Sequence, residues 1–318
     1  MKIDIYNQDC IPGMEERLAD GSVDCCVTSI PFGALFSYSH KEEDIGNNRD
    51  GLEMHEDQFG LHMRFFIEQL YRVMAPGSVT CIHIQQLLMY KVQHGYMGMR
   101  DFRGAVITMF KEGGFQAHGE VVICKNPQAV AQRQKLHSLM FVTAKRDSRM
   151  LAPAMNDYVL FFRKPGEGRP VRGLYDAEAN PGGWFTQEDW ILWAHGVWAT
   201  LKDDSGEIAF DTGVQEIDVL AGHRAAKECR EERHVCPLQL SVIRRCVRLY
   251  SAPDDLILDP FMGIGSTACV ALEEGRRAVG FELKESYHRM ALANVGFYRE
   301  KVSRRADENA PLLRAAGI

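Results

Sequence analysis

Residues 255–282, DLILDPFMGIGSTACVALEEGRRAVGFE, constrain the fold more than any other stretch of the chain. Leu256-Ile257-Leu258 is an apolar run of strand length that stops at Asp259-Pro260. Gly263 and Gly265 then flank Ile264, a helical pattern runs from Ser266 to Glu274, and Gly275 breaks it. A second apolar run, Ala278 to Phe281, ends on Glu282. Strand, glycine turn, helix, strand and acid together make one βαβ unit, and such units build parallel sheets. The glycines allow a tight turn and a close approach by a ligand where a Cβ would collide. An acid at the end of the following strand is placed to accept from the two hydroxyls of a ribose. The third glycine of a dinucleotide fingerprint is missing, so the loop suits a nucleoside better than a pyrophosphate.

The 318 residues fit one large or two ordinary domains, and 46% hydrophobic with 25% charged residues is normal for a chain with a sizeable core. A net charge of −6 excludes a uniformly basic nucleic-acid binder and leaves local basic patches to do that work. Nine cysteines, among them the adjacent Cys25-Cys26, sit mostly among apolar neighbours without regular spacing, the usage of reduced cytoplasmic protein. Cys229, His234 and Cys236, with His223 upstream, match no common zinc spacing, so no metal is expected. Met1-Lys2 leads directly into a strand, which argues against a signal peptide, and no apolar run is long enough to span a membrane.

Lys2–Tyr6 reads as an edge strand, Ile11–Leu18 as a short amphipathic helix and Val23–Thr28 as a buried strand. That strand runs into Ser29-Ile30-Pro31-Phe32-Gly33. Ligands of open α/β sheets bind outside the carboxyl ends of strands, although an ordinary proline turn with a core phenylalanine reads the same way. Residues 34–59 are polar and aperiodic, too long for a simple connector, and are expected to be a mobile functional loop or disordered. Helices are expected over Gln58–Met74, with Phe65, Phe66, Leu70 and Val73 on one face, and over Phe102–Glu112. Strands are expected at Val79–Ile84, Val121–Cys124 and Asp157–Arg163. Between the last two, Lys125, Arg133, Lys135, Lys145, Arg146 and Arg149 form either a solvated face or a phosphate-contacting surface. From Gly166 to Glu232 the α/β rhythm stops, and all four tryptophans, Trp184, Trp190, Trp193 and Trp198, fall there. Arg224–Arg233 reads as a charged helix, Leu238–Tyr250 as an amphipathic one with Ile243, Val247 and Leu249 inward, and Tyr287–Val302 as a closing helix.

Several of these pieces resemble the DNA amino-methyltransferases. Asp259-Pro260-Phe261-Met262-Gly263-Ile264-Gly265-Ser266-Thr267 is similar to their DPFxGxGTT-type S-adenosylmethionine loop. Ser29-Ile30-Pro31-Phe32 is similar to their (D/N/S)PP(Y/F/W) catalytic motif. Tyr71–Gly77 resembles their RVLKPGG helix end, and His234–Leu238 resembles the HPCPFP segment that leads into the helix before the cofactor loop. The catalytic motif precedes the cofactor loop, as in the β group of these enzymes. One departure is Ile30, where the family has its first proline: the carbonyl survives, but a fixed φ is lost.

The resemblance implies a class-I methyltransferase-like (Rossmann-like) α/β fold with a mainly parallel seven-stranded sheet and a small irregular insertion. It divides the chain into a catalytic half at 1–165, a target-recognition module at 166–233 and a cofactor half at 234–318. S-adenosylmethionine would be held by Asp9, Asp259, Phe261, Gly263, Gly265, Ser266, Thr267 and Glu282. Double-stranded DNA would be the partner, and a homodimer is an open assembly. An exocyclic amine is a poor nucleophile because its lone pair is delocalised into the ring. Acceptors on its hydrogens, here Ser29 Oγ and the Ile30 carbonyl, would restore nucleophilicity, with Pro31 shaping the turn and Phe32 stacking on a base flipped from the duplex. Thr28-Ser29 leans toward cytosine N4 over adenine N6. Two other readings stand beside this one: a class-I methyltransferase acting on RNA, protein or a small molecule, and a non-catalytic partner subunit. The former usually has its glycine loop near the N-terminus, and the latter tends to lose Gly263, Gly265 or Glu282.

Overall fold

The computed structural model describes residues 1–32, 44–45, 58–89, 91, 95–96, 98–127, 130, 145–153, 155–202, 205–215, 217–221 and 238–315. One eight-stranded sheet dominates, in the order β1-β12-β11-β2-β3-β7-β6-β8. From one edge these are β1 (Ile3–Tyr6), β12 (Arg277–Phe281), β11 (Leu256–Asp259), β2 (Val23–Ser29), β3 (Met74–Gln85), β7 (Asp157–Arg163), β6 (Gln116–Ile123) and β8 (Val197–Trp198). Only β7 runs against its neighbours; every other pairing in this sheet is parallel. The sheet is therefore mainly parallel as expected, with one strand more than expected. Two small hairpins lie apart from it, β4 (Leu87–Met89) with β5 (Gly98–Arg100) and β9 (Thr200–Lys202) with β10 (Ile208–Asp211).

Helices cover both faces, because parallel strands need crossovers and each crossover deposits a helix on the sheet. One core cluster joins α1 (Cys10–Arg17), α2 (Gln58–Val73) and α3 (Phe102–Glu112) to residues such as Cys26, Ile82 and Leu160. The other joins α5 (Leu240–Tyr250), α6 (Ser266–Glu273) and α7 (Glu285–Ala315) to Cys25, Cys81 and Val159. Adjacent residues Cys25 and Cys26 thus feed opposite faces, as strand alternation requires. Phe65 departs from the expected helix face: α2 buries Phe59, Met63, Phe66, Leu70 and Val73 and leaves Phe65 exposed. With about 100° per residue, Phe65 sits beside the Phe66–Leu70–Val73 stripe and not on it. On α5, Ile243 and Val247 are buried and Leu249 is only half-buried. The described cysteines are free thiols, buried except for the half-buried Cys124.

The tryptophan-rich segment shares the main core. It holds α4 (Gln187–Trp193), closed by a Thr186/Asp189 capping box, and then supplies β8, which adds to the edge of β6. Trp198 is 1% exposed; its indole N–H donates to Trp193 O at 3.0 Å, and the Arg245 guanidinium lies 4.9 Å from its ring centre. Trp184 donates to Arg248 O at 2.8 Å, which pins the segment to α5. Trp198→Ala is expected to cost about 3–5 kcal/mol in chemical denaturation, the usual loss for a buried aromatic. A loss near zero would mean that the segment contributes nothing to the shared core.

Candidate active site

The candidate residues gather where the parallel strands end. On the cofactor side, β11 stops at Asp259 and the chain turns through Gly263 and Gly265, with φ of +55° and +92°. At Gly265 a Cβ would be both left-handed and only 3.1 Å from the Ala291 backbone of α7, so no other residue fits without strain. Ser266 and Thr267 open α6 and are buried, while Phe261 packs its ring 5.1 Å from that of Phe66. Asn294 of α7 donates to Ile264 O at 2.9 Å and holds the loop from behind.

Glu282, one residue beyond β12, closes this loop. Its carboxylate accepts from Gly263 N at 2.8 Å and from Lys284 N at 2.7 Å. Burial, followed by repulsion from Asp259 and Asp44, pushes it up to about 8 despite those two bonds. In its ionised form each carboxylate oxygen retains a free lone pair, so the pair of oxygens could accept from the two hydroxyls of a ribose. Asp9 caps α1 by accepting from Ile11 N at 2.7 Å, and both Asp9 and Glu282 act on the Cys10 thiol, which places them at the same end of the sheet.

On the catalytic side, Ser29 ends β2 with its Oγ 2.8 Å from His83 Nδ1. Ile30 is 1% exposed and is embedded in the core cluster that contains Phe66 and Phe102. A packed side chain therefore anchors the turn where the family has a proline ring. Pro31 is buried and Phe32 half-buried, with ring contacts edge-on to His83 at 5.7 Å and Phe102 at 6.5 Å. The two halves are tied together by Asp259: its Oδ1 accepts from Thr28 Oγ1 at 2.6 Å and from Phe261 N at 3.1 Å. Thr267 Oγ1 also reaches Val27 O at 3.3 Å. Burial pushes Asp259 up to about 6 even though Thr267 and Thr28 hydrogen-bond to it. Its carboxyl thus holds the cofactor loop in register with the residue that precedes Ser29.

A glycine turn closed by a buried acid and a Ser-Ile-Pro-Phe turn, tied together at the mouth of one sheet, fit a methyltransferase, and the family match decides the matter. The DNA methylase family of N6- and N4-methyltransferases matches residues 23–293. The chain belongs to this family.

The methylase is therefore an S-adenosylmethionine-dependent DNA amino-methyltransferase, of cytosine N4 or adenine N6. It is 22% identical over 309 residues to the type II methyltransferase M.MjaI of Methanocaldococcus jannaschii, covering 90% of this chain and 89% of that one. Its fold is similar to a candidate DNA modification methylase from Thermus thermophilus, solved with S-adenosyl-L-methionine, with a TM-score of 0.63, 18% identity and coverage of 93% and 94%. It is also similar to the cytosine-N4-specific PvuII DNA methyltransferase, with a TM-score of 0.58, 17% identity and coverage of 96% and 91%.

The grouping of three side chains beside Ser29 escapes a reading of the sequence: His83, Asp157 and Lys125, of which the sequence marks only Lys125, and for a different role. His83 Nε2 lies 2.8 Å from Asp157 Oδ2, and Lys125 Nζ contacts the same oxygen. Lys125 is buried beside that carboxylate, so it is neither a solvated nor a phosphate-contacting residue. The available signal was a histidine inside the otherwise apolar strand Cys81-Ile82-His83-Ile84, and an aspartate opening the strand at Asp157. Other expectations lie outside the described residues: the mobility of 34–59 apart from Asp44, Ile45, Gln58 and Phe59; Arg133 and Lys135; the helix at 224–233; and the His223, Cys229, His234, Cys236 group. Among the described residues, no group of His, Cys, Asp and Glu could hold a metal ion, and no helix is long and apolar enough to cross a membrane.

Proposed function

We propose that this methylase transfers a methyl group to the N4 amine of a cytosine turned out of double-stranded DNA. The observation that carries the reading is the hydrogen bond between Ser29 Oγ and His83 Nδ1 at the mouth of the sheet. The Asp157 carboxylate can only accept, so His83 Nε2 carries the proton and Nδ1 accepts from the Ser29 hydroxyl. The lone pairs of Ser29 Oγ are then free to accept from an amine. The Ile30 carbonyl takes the second amine hydrogen, and Phe32 offers part of its ring to the base. Asp9, Phe261, Gly263, Gly265, Ser266, Thr267 and Glu282 form the cofactor pocket, with Asp259 holding it against β2. When bound, S-adenosylmethionine supplies an electrophilic methyl on a sulfonium.

The tryptophan-rich segment after residue 166 reads the target sequence. Its exposed Trp190 and Ile191, on α4, offer apolar contact area to the DNA. Residue 29 favours cytosine: a neutral serine, following Thr28, stands where an aspartate would accompany adenine. Nucleoside mass spectrometry of DNA from cells that express the protein is expected to show N4-methylcytosine. N6-methyladenine without N4-methylcytosine would overturn the base assignment, and neither product would overturn the DNA reading.

A further inference from the structure

Strand register lines up four polar side chains across the mouth of the sheet. β2 pairs with β3 so that Ser29 stands opposite His83. β3 pairs with β7 so that Gln85, two residues on and on the same face as His83, stands opposite Asp157. β7 pairs with β6 so that Asp157 stands opposite Ile123, and Lys125 follows two residues later. The His83 and Asp157 side chains are 4% and 2% exposed. The line runs from a half-buried hydroxyl at the pocket to an ion pair in the interior.

We propose that His83 is the proton acceptor of the methyl transfer, acting through Ser29, with Asp157 and Lys125 as the groups that fix its tautomer. The proposal rests on Ser29 being the residue that contacts the amine. As the amine nitrogen forms its bond to the methyl carbon, the carbon–sulfur bond of the sulfonium breaks and the positive charge moves to the nitrogen. The methylated nitrogen must then release one proton. A serine hydroxyl is too weak a base to keep it. Ser29 Oγ takes that proton while passing its own to His83 Nδ1, which leaves a neutral methylamino group, a neutral thioether and an imidazolium. One positive charge enters on sulfur and one remains on His83, so atoms and charge balance. Solvent removes the proton after the product leaves.

Asp157 is not the destination of the proton. Burial opposes its charge, yet Lys125 and the His83 hydrogen bond overcome that and hold it at about 2. It remains an acceptor, keeps the proton on Nε2 and directs Nδ1 at Ser29. Lys125 holds the Asp157 charge in place without touching the serine. Among the described residues, Asp157 from β7 is the charged group bonded to His83, and Lys125 beyond β6 contacts that same carboxylate; Ser29 from β2 bonds to the other ring nitrogen and the Phe32 ring lies edge-on to it. Asp157 fixes the same tautomer whether or not His83 takes up a proton, so the rate of methyl transfer separates a base from a histidine that only satisfies hydrogen bonds.

The test combines kinetics with nitrogen NMR. In single turnovers with labelled S-adenosylmethionine and DNA, His83→Gln is expected to slow methyl transfer about 10²- to 10⁴-fold, the range of a lost general base, with donor and DNA affinities unchanged. The acidic limb of the wild-type pH–rate profile should vanish in the variant. A variant that transfers at the wild-type rate overturns the relay. In wild-type protein labelled with ¹⁵N-histidine, His83 should be protonated on Nε2 and not on Nδ1 at neutral pH, and its Nδ1 signal should move in Ser29→Ala. An Nδ1-protonated His83 overturns the proposal without reference to turnover, including the case in which His83→Gln fails to fold. Full activity in Ser29→Ala would instead sink the role given to Ser29, so the two failures are distinguishable.

Discussion

Glu282→Gln is expected to weaken S-adenosylmethionine binding about 10- to 100-fold, the loss of hydrogen bonds to a charged acceptor, and to remove a pH dependence from the stability of the free protein. The carboxyl sits at about 8 in the folded chain against an ordinary 4.5. Between those values the folded chain keeps a proton that the unfolded chain has released. Wild-type stability therefore falls as pH rises through that window and levels off above it. Asp259, raised from 3.8 to about 6, adds a contribution of the same sign, but it is present in both proteins. The difference in melting temperature, variant minus wild type, should therefore climb from pH 5 to pH 8. The neutral amide does lose one acceptor for Gly263 N or Lys284 N, so the diagnostic is the slope and not the offset. Ribose hydroxyls donate to the ionised carboxylate, so wild-type affinity for the cofactor should rise with pH up to about 8, and that of the variant should not. Parallel melting curves at every pH would show that Glu282 is not the strained acid described here.

The strand–glycine turn–helix–strand unit at 256–281 was legible in the sequence because its constraints are local. A left-handed turn needs glycine wherever it occurs, so Gly263 and Gly265 announce themselves, and Glu282 follows from the length of one βαβ unit. Ser29-Ile30-Pro31-Phe32 was legible for the same reason: a polar residue and a proline end an apolar strand. The row of contacts behind Ser29 was not. His83, Asp157 and Lys125 lie 54, 128 and 96 positions from Ser29 in the chain, and only the register of four strands brings them together. Nor was β8, whose two residues are too short for any period to mark. Phe65 failed at a finer grain: composition suggested an apolar face, but the helix phase excluded that position.

The Thr28–Asp259 bond explains how one fold can serve two halves read separately in the chain. They lie 231 positions apart, yet β2 and β11 are adjacent parallel strands that end together. The acid that opens the glycine turn is thus bonded to the residue before Ser29. A change on one side can be felt on the other through a single buried carboxyl, which is why a clean test of catalysis must leave Thr28 and Asp259 alone and alter only the atom proposed to meet the amine.

Ser29→Ala makes that separation. It deletes Oγ and leaves the Ile30 carbonyl, the Phe32 ring and the Thr28–Asp259 tie untouched. The amine then loses one of the two acceptors that localise its lone pair, and His83 Nδ1 is left facing a methyl group. Removing one preorganised hydrogen-bonding group from an active site typically costs about 10²- to 10³-fold in kcat, and a fall of that order is expected in single turnovers on DNA. Cofactor affinity measured by calorimetry should not change, because Oγ bonds to His83 and not to the loop at 259–265. Stability should drop by only about 1 kcal/mol for the lost hydrogen bond. A variant that lost cofactor binding as well would place Ser29 in the cofactor pocket, and one that methylated at the wild-type rate would move the acceptor of the amine hydrogen to another residue.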